Sequence, residues 1–425
     1  MNLAARGFRV LPAGRLPVAF TQAFGTVLTC PTIPDSFLVI IYQMPYNKKR
    51  RGGMPMTDIL QFADELGPAK ILQVYEPSVN LKAVLVVDNV AAGPALGGVR
   101  MAPDVTTEEC FRLARAMTMK NAAAGLPHGG GKVVLYGDPK MPKPDKERLI
   151  RALACSLRDV QEYIFAPDMG TDEECMAWVK DEIDRVVGLP AEVGGIPLDE
   201  IGATGWGLRH AIEAALHFCD FKLKHARLVI QGFGAVGLHA ARFLTKKKAV
   251  LVGVADSRGA VYHPEGLEVE ELIKLKQAGQ GVADYPRGEK YDREAVIDFE
   301  GDIWIPAARP DVVNETNMHR LKTRLLVEGA NIPLTYGAEK YLHEHGVLCV
   351  PDFIANAGGV ICAAMEYQGA SQTAAFEAIE EKVSHNTRLV LEESEAKKIL
   401  PRDAAVNLAL QRVRKAMSYK RWSIS

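Results

Sequence analysis

With 425 residues, 48% of them hydrophobic and 24% charged, the chain is long enough for two or three domains that each bury a core. Fifty-one basic and 52 acidic side chains leave a net charge of -1, which excludes a strongly basic nucleic-acid binder, and no apolar run approaches the ~18 residues of a membrane helix. Composition this average also excludes collagen, disulfide scaffolds and general disorder.

The neutral total hides an asymmetry. Residues 1–53 carry seven Lys/Arg (Arg6, Arg9, Arg15, Lys48, Lys49, Arg50, Arg51) against one acid, Asp35, a balance of +6 set against -7 for the other 372 residues. This extension is expected to lie outside the fold as a disordered segment. Its apolar run at 37–42 is too short for a secretory h-region, and no cleavage site follows. Two readings stay open: an organelle transit peptide lacking the usual Ser-rich character, or translation that starts at Met54 or Met56. The seven cysteines (Cys30, Cys110, Cys155, Cys175, Cys219, Cys349, Cys362) are odd in number and include no CxxC pair. Reduced thiols in a cytoplasmic setting are therefore expected, with no disulfides and no zinc site.

Beyond residue 53, strand-like and helix-like stretches alternate in two regions, which predicts an α/β architecture. Residues 84–87 (Val-Leu-Val-Val) read as a strand, followed by a glycine-rich turn at 93–98. A helix is predicted from Thr106, where Glu109 completes a capping box and Phe111, Leu113, Ala114 and Met117 supply apolar positions. Gly125 stops it, with Pro127 just beyond. Gly129-Gly130-Gly131-Lys132 then leads into a strand at 133–136. Residues 194–197 (Gly-Gly-Ile-Pro) read as a linker to the second region, where a helix over 204–219 precedes a strand at 228–230. His343-Glu344-His345 lacks the HExxH spacing of a metal site and reads as a solvated helix end. A long apolar helix is predicted from about Gly358, and an amphipathic helical tail to Ser425.

Gly232-Phe233-Gly234-Ala235-Val236-Gly237 matches GxGxxG in the context that gives this weak pattern meaning: a strand before it, a helix through Leu244 after it, and a second strand at 250–255 ending on Asp256. The glycines let the backbone approach a pyrophosphate, whose charge rests at a helix N-terminus. Asp256 is placed for the adenosine ribose hydroxyls and would repel a 2′-phosphate, which favours NAD. Ser257 and Arg258 sit where a phosphate is held, so NADP stays open.

Gly131-Lys132 is not a phosphate-binding P-loop, because Leu126 and Val133 stand where that motif needs Gly and Ser/Thr. Lys132, between three glycines and an apolar run, is expected to be poorly solvated, which disfavours its charge and suits a neutral amine base. Lys120 flanks the same block. Asp168 is a third candidate, although by residue type it reads as an ordinary turn aspartate.

These residues resemble the Glu/Leu/Phe/Val amino-acid dehydrogenases. The resemblance is carried by Met117-Thr118, Lys120–Leu126, Gly129–Lys132, Gly137–Pro139, Gly93–Arg100, Pro167–Thr171, Ala203–Gly207, Glu328–Asn331 and Asn356–Val360, in collinear order from about residue 57 to past 380. It implies two α/β domains around a cleft: a substrate and oligomerisation domain at 54–195, a Rossmann-like domain at 196–350, and C-terminal helices at 351–425 packing back on the first. It implies a homo-oligomer and reversible oxidative deamination of an L-amino acid to a 2-oxo acid and ammonia, with no nucleic-acid or membrane partner. Position by position, Lys120 would pair with the substrate α-carboxylate, with Gly97 and Gly98 lining the same site. Lys132 would activate the water that attacks the imine, and Asp168 would carry protons to and from the amino group. Thr204 and Asn331 would hold the nicotinamide end, and the implied cofactor set extends to Ala307.

Glutamate dehydrogenases of this family typically place a Lys before the first Gly-Gly and a Ser four residues after the second Gly of NAGGV, both reaching the distal carboxylate. Here those positions are Leu96 and Ala363. A carboxylate buried against them would lose several kcal/mol, on the order of an unpaired buried charge, whereas an aliphatic or aromatic side chain would gain roughly 1.5–3 kcal/mol. The expected substrate is thus an apolar amino acid of the Leu/Val/Phe type. Ala203–Gly207 and Glu328–Asn331 read more like glutamate dehydrogenases, which keeps glutamate as the alternative, with Arg100 as the cation that would have to reach the pocket. His128 is expected to be a satisfied loop histidine. A non-catalytic dinucleotide-binding regulator is the third reading, opposed by Lys120, Lys132 and Asp168 all being present.

Overall fold

The computed structural model describes residues 59–420; the expectations for residues 1–53 and for the last five residues lie outside them. The first sheet collects β1 (Lys70–Glu76), β2 (Leu81–Asn89), β3 (Ala95–Ala102), β4 (Gly129–Tyr136) and β5 (Tyr163–Pro167) in the order β1-β2-β4-β3-β5. β2 pairs antiparallel with β1 and β4, while β3 runs parallel to both β4 and β5. Helix α1 (Thr107–Ala123) covers one face; α2 (Lys143–Ser156) and α3 (Glu173–Ile183) cover the other.

Thr106 caps α1 by accepting the Glu109 N–H at 3.1 Å. The capping box is only half made, because the Glu109 carboxylate turns to Arg100 Nη1 at 2.7 Å instead. Gly125, at φ +66°, ends the helix as expected. The glycine runs are a correction: Gly97 and Gly98 lie inside β3 and Gly129–Gly131 inside β4, as strand residues rather than turns. Close packing explains them. A methyl group on Gly97 would sit 1.8 Å from the Gly131 carbonyl, and one on Gly130 would sit 2.0 Å from the Thr118 nitrogen of α1. Only glycine lets the neighbouring strand and the covering helix come so near.

After the short α4 (Leu198–Ile201) and α5 (Ala203–Ala215), the second sheet forms from β6 (Arg227–Gln231), β7 (Val250–Asp256), β8 (Gly259–Tyr262), β9 (Glu289–Tyr291), β10 (Ile303–Pro306), β11 (Leu325–Val327) and β12 (Leu348–Val350). Its order is β12-β11-β10-β6-β7-β8-β9, all running the same way except β8, which is antiparallel to both β7 and β9. The chain leaves β6 toward β7 through α6 (Ala235–Lys246), then returns past β6 to build β10, β11 and β12. The order therefore reverses beside β6, the place where open α/β sheets bind ligands. Helices α7 (Val269–Gln277) and α8 (Tyr336–Glu344) complete the layers.

The C-terminal part is α9 (Asp352–Ala355), α10 (Gly358–Tyr367), α11 (Gln372–Lys397) and α12 (Pro401–Tyr419). The helix from Gly358 is short, ten residues, and α11 is the long one. Helix α11 packs on α5 and α12 on α1, so Ala122, Ala123 and Leu126 of the first unit join one core with Leu408, Ala409 and Val413. The six described cysteines are free. Among the described residues no helix is long and apolar enough to cross a membrane, and no cluster of His, Cys, Asp and Glu suits a metal ion.

Candidate active site

Three adjacent strands bring the lysine block and the aspartate together. Lys132 is the fourth residue of β4, and Asp168 follows the end of β5; between them runs β3. The Lys132 ammonium and the Asp168 carboxylate meet as an ion pair across Gly98. A methyl group on Gly98 would lie 2.7 Å from Asp168 Cβ and 3.2 Å from Lys132 Nζ, so a side chain there would occupy the pair's own space. Lys132 is only 5% exposed. It is not the lone buried amine expected from sequence, because a carboxylate faces it.

Asp168 is held from several sides. Its backbone N–H donates to Thr171 Oγ1 at 3.0 Å, and Thr171 in turn donates to the Val99 carbonyl at 2.8 Å. The Met169 N–H donates to the carboxylate at 2.7 Å, and Arg100 Nε stands 3.4 Å away. Burial works to raise its pKa, but the Lys132 and Arg100 charges outweigh it and hold the carboxyl below its usual value. The ordinary-turn reading of Asp168 is thereby replaced. A basic and an acidic group in contact form a path along which a proton can pass.

Lys120, in the last turn of α1, points across to the second unit, with Nζ 3.5 Å from Asn331 Oδ1. Burial pushes its ammonium down to about 8, against the favourable charges of Asp352 and Asp168 and with the unfavourable one of Lys132. A depressed amine is thus found at Lys120.

Leu96 and Ala363, far apart in sequence, fall into one buried apolar cluster with Ile164 and Val187, and with Ala166 against it. Arg100, the cation that a distal carboxylate would need, is already engaged by Glu109 and Asp168. His128 is half satisfied: Nδ1 faces the Pro94 carbonyl at 3.3 Å, while Nε2 is buried without a partner. Its ring lies edge-on to Tyr367, one turn beyond Ala363 on α10.

The glycine fingerprint leaves the carboxyl end of β6. Gly232 has φ +103°, and a methyl group there would clash with Ala308 and Ala307; one on Gly237 would lie 1.9 Å from the Gly232 carbonyl. Gly234 faces open space and begins α6 with no side-chain cap, which leaves the Ala235 and Val236 N–H groups available. These residues fit a dinucleotide pyrophosphate. Ala307 donates its N–H to the Gln231 carbonyl at 2.7 Å, placing the turn after β10 beside the fingerprint. Thr204, the second residue of α5, lies against the start of α10: methyl groups on Gly358 and Gly359 would come within 3.1 Å and 3.3 Å of it. Asn331 Oδ1 accepts from Asn356 Nδ2 at 3.0 Å.

Asp256 requires a correction. It ends β7 as expected, but it is not a free carboxylate: it accepts from Lys276 Nζ at 2.6 Å, the Arg258 N–H at 2.8 Å and the Val282 N–H at 3.1 Å. Lys276 sits 20 residues away on α7, beyond the reach of any local motif. It compensates the charge expected to repel a 2′-phosphate, and the argument for NAD over NADP weakens accordingly.

The two-unit α/β fold, the fingerprint at the strand-order switch and the buried Lys132–Asp168 pair fit an NAD(P)-dependent amino-acid dehydrogenase. The family model described as Glutamate/Leucine/Phenylalanine/Valine dehydrogenase matches residues 194–421, and its dimerisation-domain model matches residues 68–185. A glutamate dehydrogenase of Aeropyrum pernix is 38% identical over 358 residues, 79% of this chain and 85% of that protein. An NADP-specific glutamate dehydrogenase of Saccharolobus shibatae is 37% identical over 293 residues, 66% of this chain and 69% of that one. Among solved structures, the hetero-hexameric glutamate dehydrogenase of Thermus thermophilus in a Leu-bound form superposes with a TM-score of 0.75 at 30% identity, covering 84% of this chain and 91% of the other. The chain belongs to the Glu/Leu/Phe/Val dehydrogenase family.

Proposed function

We propose that this enzyme interconverts an L-amino acid with an apolar side chain and its 2-oxo acid, releasing or consuming ammonia. The observation that supports the substrate class is that Leu96 and Ala363, far apart in sequence, come together with Ile164 and Val187 in one buried apolar cluster. A second reading, glutamate as substrate, is favoured by the relatives, several of which bear the name glutamate dehydrogenase at 36–39% identity. The names of relatives weigh toward glutamate; the pocket's composition weighs against it.

In this reading Lys120 pairs with the α-carboxylate, beside the bare backbone of Gly97 and Gly98. Lys132 takes a proton from the attacking water, and Asp168 exchanges protons with the substrate nitrogen. The dinucleotide supplies the acceptor for the hydride leaving Cα. Residues Gly232, Gly234, Ala235, Val236, Gly237 and Ala307 would hold its phosphate end, with Thr204 and Asn331 at the nicotinamide. The Asp256–Lys276 pair would accommodate either a ribose hydroxyl or a 2′-phosphate, so both NAD and NADP are expected to serve. The division into 54–195 for substrate, 196–350 for the dinucleotide and 351–425 for closing helices belongs to the same reading, as does assembly into a homo-oligomer.

Reductive amination of 4-methyl-2-oxopentanoate, phenylpyruvate and 2-oxoglutarate, each with NADH and NADPH, tests the proposal. Higher kcat/KM with either of the first two is expected; preference for 2-oxoglutarate would sink the apolar reading in favour of the second. A pH prediction follows from Lys120. Its ammonium is the binding form, present below about 8 and lost above it. A 2-oxo acid carboxylate stays ionised throughout, so its KM is expected to climb as the pH passes that value. A KM that stays flat well into the alkaline range would remove Lys120 from the role.

A further inference from the structure

Ile332 follows Asn331 and has φ +48°, a left-handed conformation that a β-branched residue adopts only under strong constraint. Two hydrogen bonds supply it. The Ile332 N–H donates to Asp352 Oδ2 at 2.9 Å, and its carbonyl accepts the Asp311 N–H at 3.0 Å. The other Asp352 oxygen accepts from Arg402 Nη1 at 3.0 Å. Arg402 stands in the first turn of α12 and also engages Glu328, at 2.8 Å, and Glu339. Burial raises the pKa of both glutamates despite the guanidinium charge beside them. Both α12 and α9, which begins with Asp352, pack on α1, the helix that carries Lys120. The strained turn therefore joins two sides of the cleft: Asn331 faces Lys120, and Asp352 grips the residue after it.

We propose that Asp352, anchored by Arg402, is a positioning residue of the active site, shaping the Asn331–Ile332 turn and presenting a fixed negative charge toward Lys120. The inference rests on the reading of Lys120 as the group that binds the α-carboxylate. The charged groups that act on Lys120 are Asp352 and Asp168, which favour its ammonium, and Lys132, which opposes it; Asp352 is the strongest of the three. Residue type alone hides this role, since Asp352 touches neither Lys132 nor Asp168 and reads as a helix-start acid.

The test is the variant Asp352→Asn, which keeps an oxygen for the Ile332 N–H, removes the charge and turns an NH2 group toward Arg402. KM for the 2-oxo acid is measured against pH, with kcat, cofactor KM and thermal midpoint alongside. The alkaline rise in KM is expected to begin about one pH unit lower, with KM affected more than kcat. A purely structural role would lower the midpoint and leave the onset where it was; that result overturns the proposal. If Asp352→Asn does not fold, Asp352→Ser, which also removes the charge without turning an amide toward Arg402, carries the same test: an onset moved to lower pH supports the proposal, an unmoved onset overturns it. Lys120→Met separates the two levels. If it leaves the 2-oxo acid KM unchanged, the reading of Lys120 fails and this inference falls with it. If it raises KM while the Asp352→Asn onset stays put, this inference alone fails.

Discussion

Lys132→Ala is expected to lower kcat in both directions by about a thousandfold, within the range of a lost general base, while the affinity for the reduced cofactor stays within about twofold of wild type on the same argument. The reason is geometric. Lys132 sits on β4 against Asp168, in the unit that carries the lysine block, whereas the glycine fingerprint belongs to the other sheet. Removing one member of a buried pair can cost ~3–5 kcal/mol of stability. Here the cost is smaller, because the Asp168 side chain is 20% exposed and keeps Arg100 at 3.4 Å and the Met169 N–H at 2.7 Å. The enzyme is therefore expected to fold, to bind cofactor and to turn over very slowly. Full turnover in the variant would remove Lys132 from the chemistry and revive the reading of a dinucleotide-binding regulator.

The second large effect concerns the substrate side chain. Leu96→Lys combined with Ala363→Ser is expected to shift the kcat/KM ratio toward 2-oxoglutarate, relative to 4-methyl-2-oxopentanoate, by on the order of 100-fold, the worth of one charge-assisted hydrogen bond with a supporting neutral one. In the free variant the new ammonium would lie among Ile164, Val187 and Ala166 with no partner. A depressed thermal midpoint that 2-oxoglutarate restores is therefore also expected. If the wild-type enzyme already prefers 2-oxoglutarate and the double substitution changes little, the distal carboxylate is met elsewhere. Arg100 is an unsuitable candidate while Glu109 and Asp168 hold it.

Particular residues show what sequence could reveal. The fingerprint was legible because its meaning is local: strand, tight turn and helix lie within some twenty residues. The lysine block was legible for a similar reason. Asp168 was not, since by type it is an ordinary turn aspartate, and its distinction comes from β5 ending beside β4 across a bare stretch of β3. The glycines of β3 and β4 do not read as strand from sequence, because a missing side chain carries no record of what fills its place. Asp256 reads from sequence as a charge that repels a 2′-phosphate; Lys276, on α7, pairs with it. Neither Arg402 nor Asp352 carried any signal, for an arginine at a helix start has no pattern until three carboxylates are seen to converge on it.

Sequence alone determined what depends on neighbours along the chain: apolar periodicity, the Thr106 cap, the Gly125 stop, the dinucleotide turn and the lysine block. Only the tertiary structure decided which charges meet. Lys120 and Asn331 are separated by 211 positions and Lys132 and Asp168 by 36, and their contacts follow from strand order and helix packing. That is also why the depressed ammonium of Lys120 had no signal in the sequence. A pKa responds to the charges and burial in the few ångströms around a group, and those surroundings are assembled by the fold, not by adjacent residues.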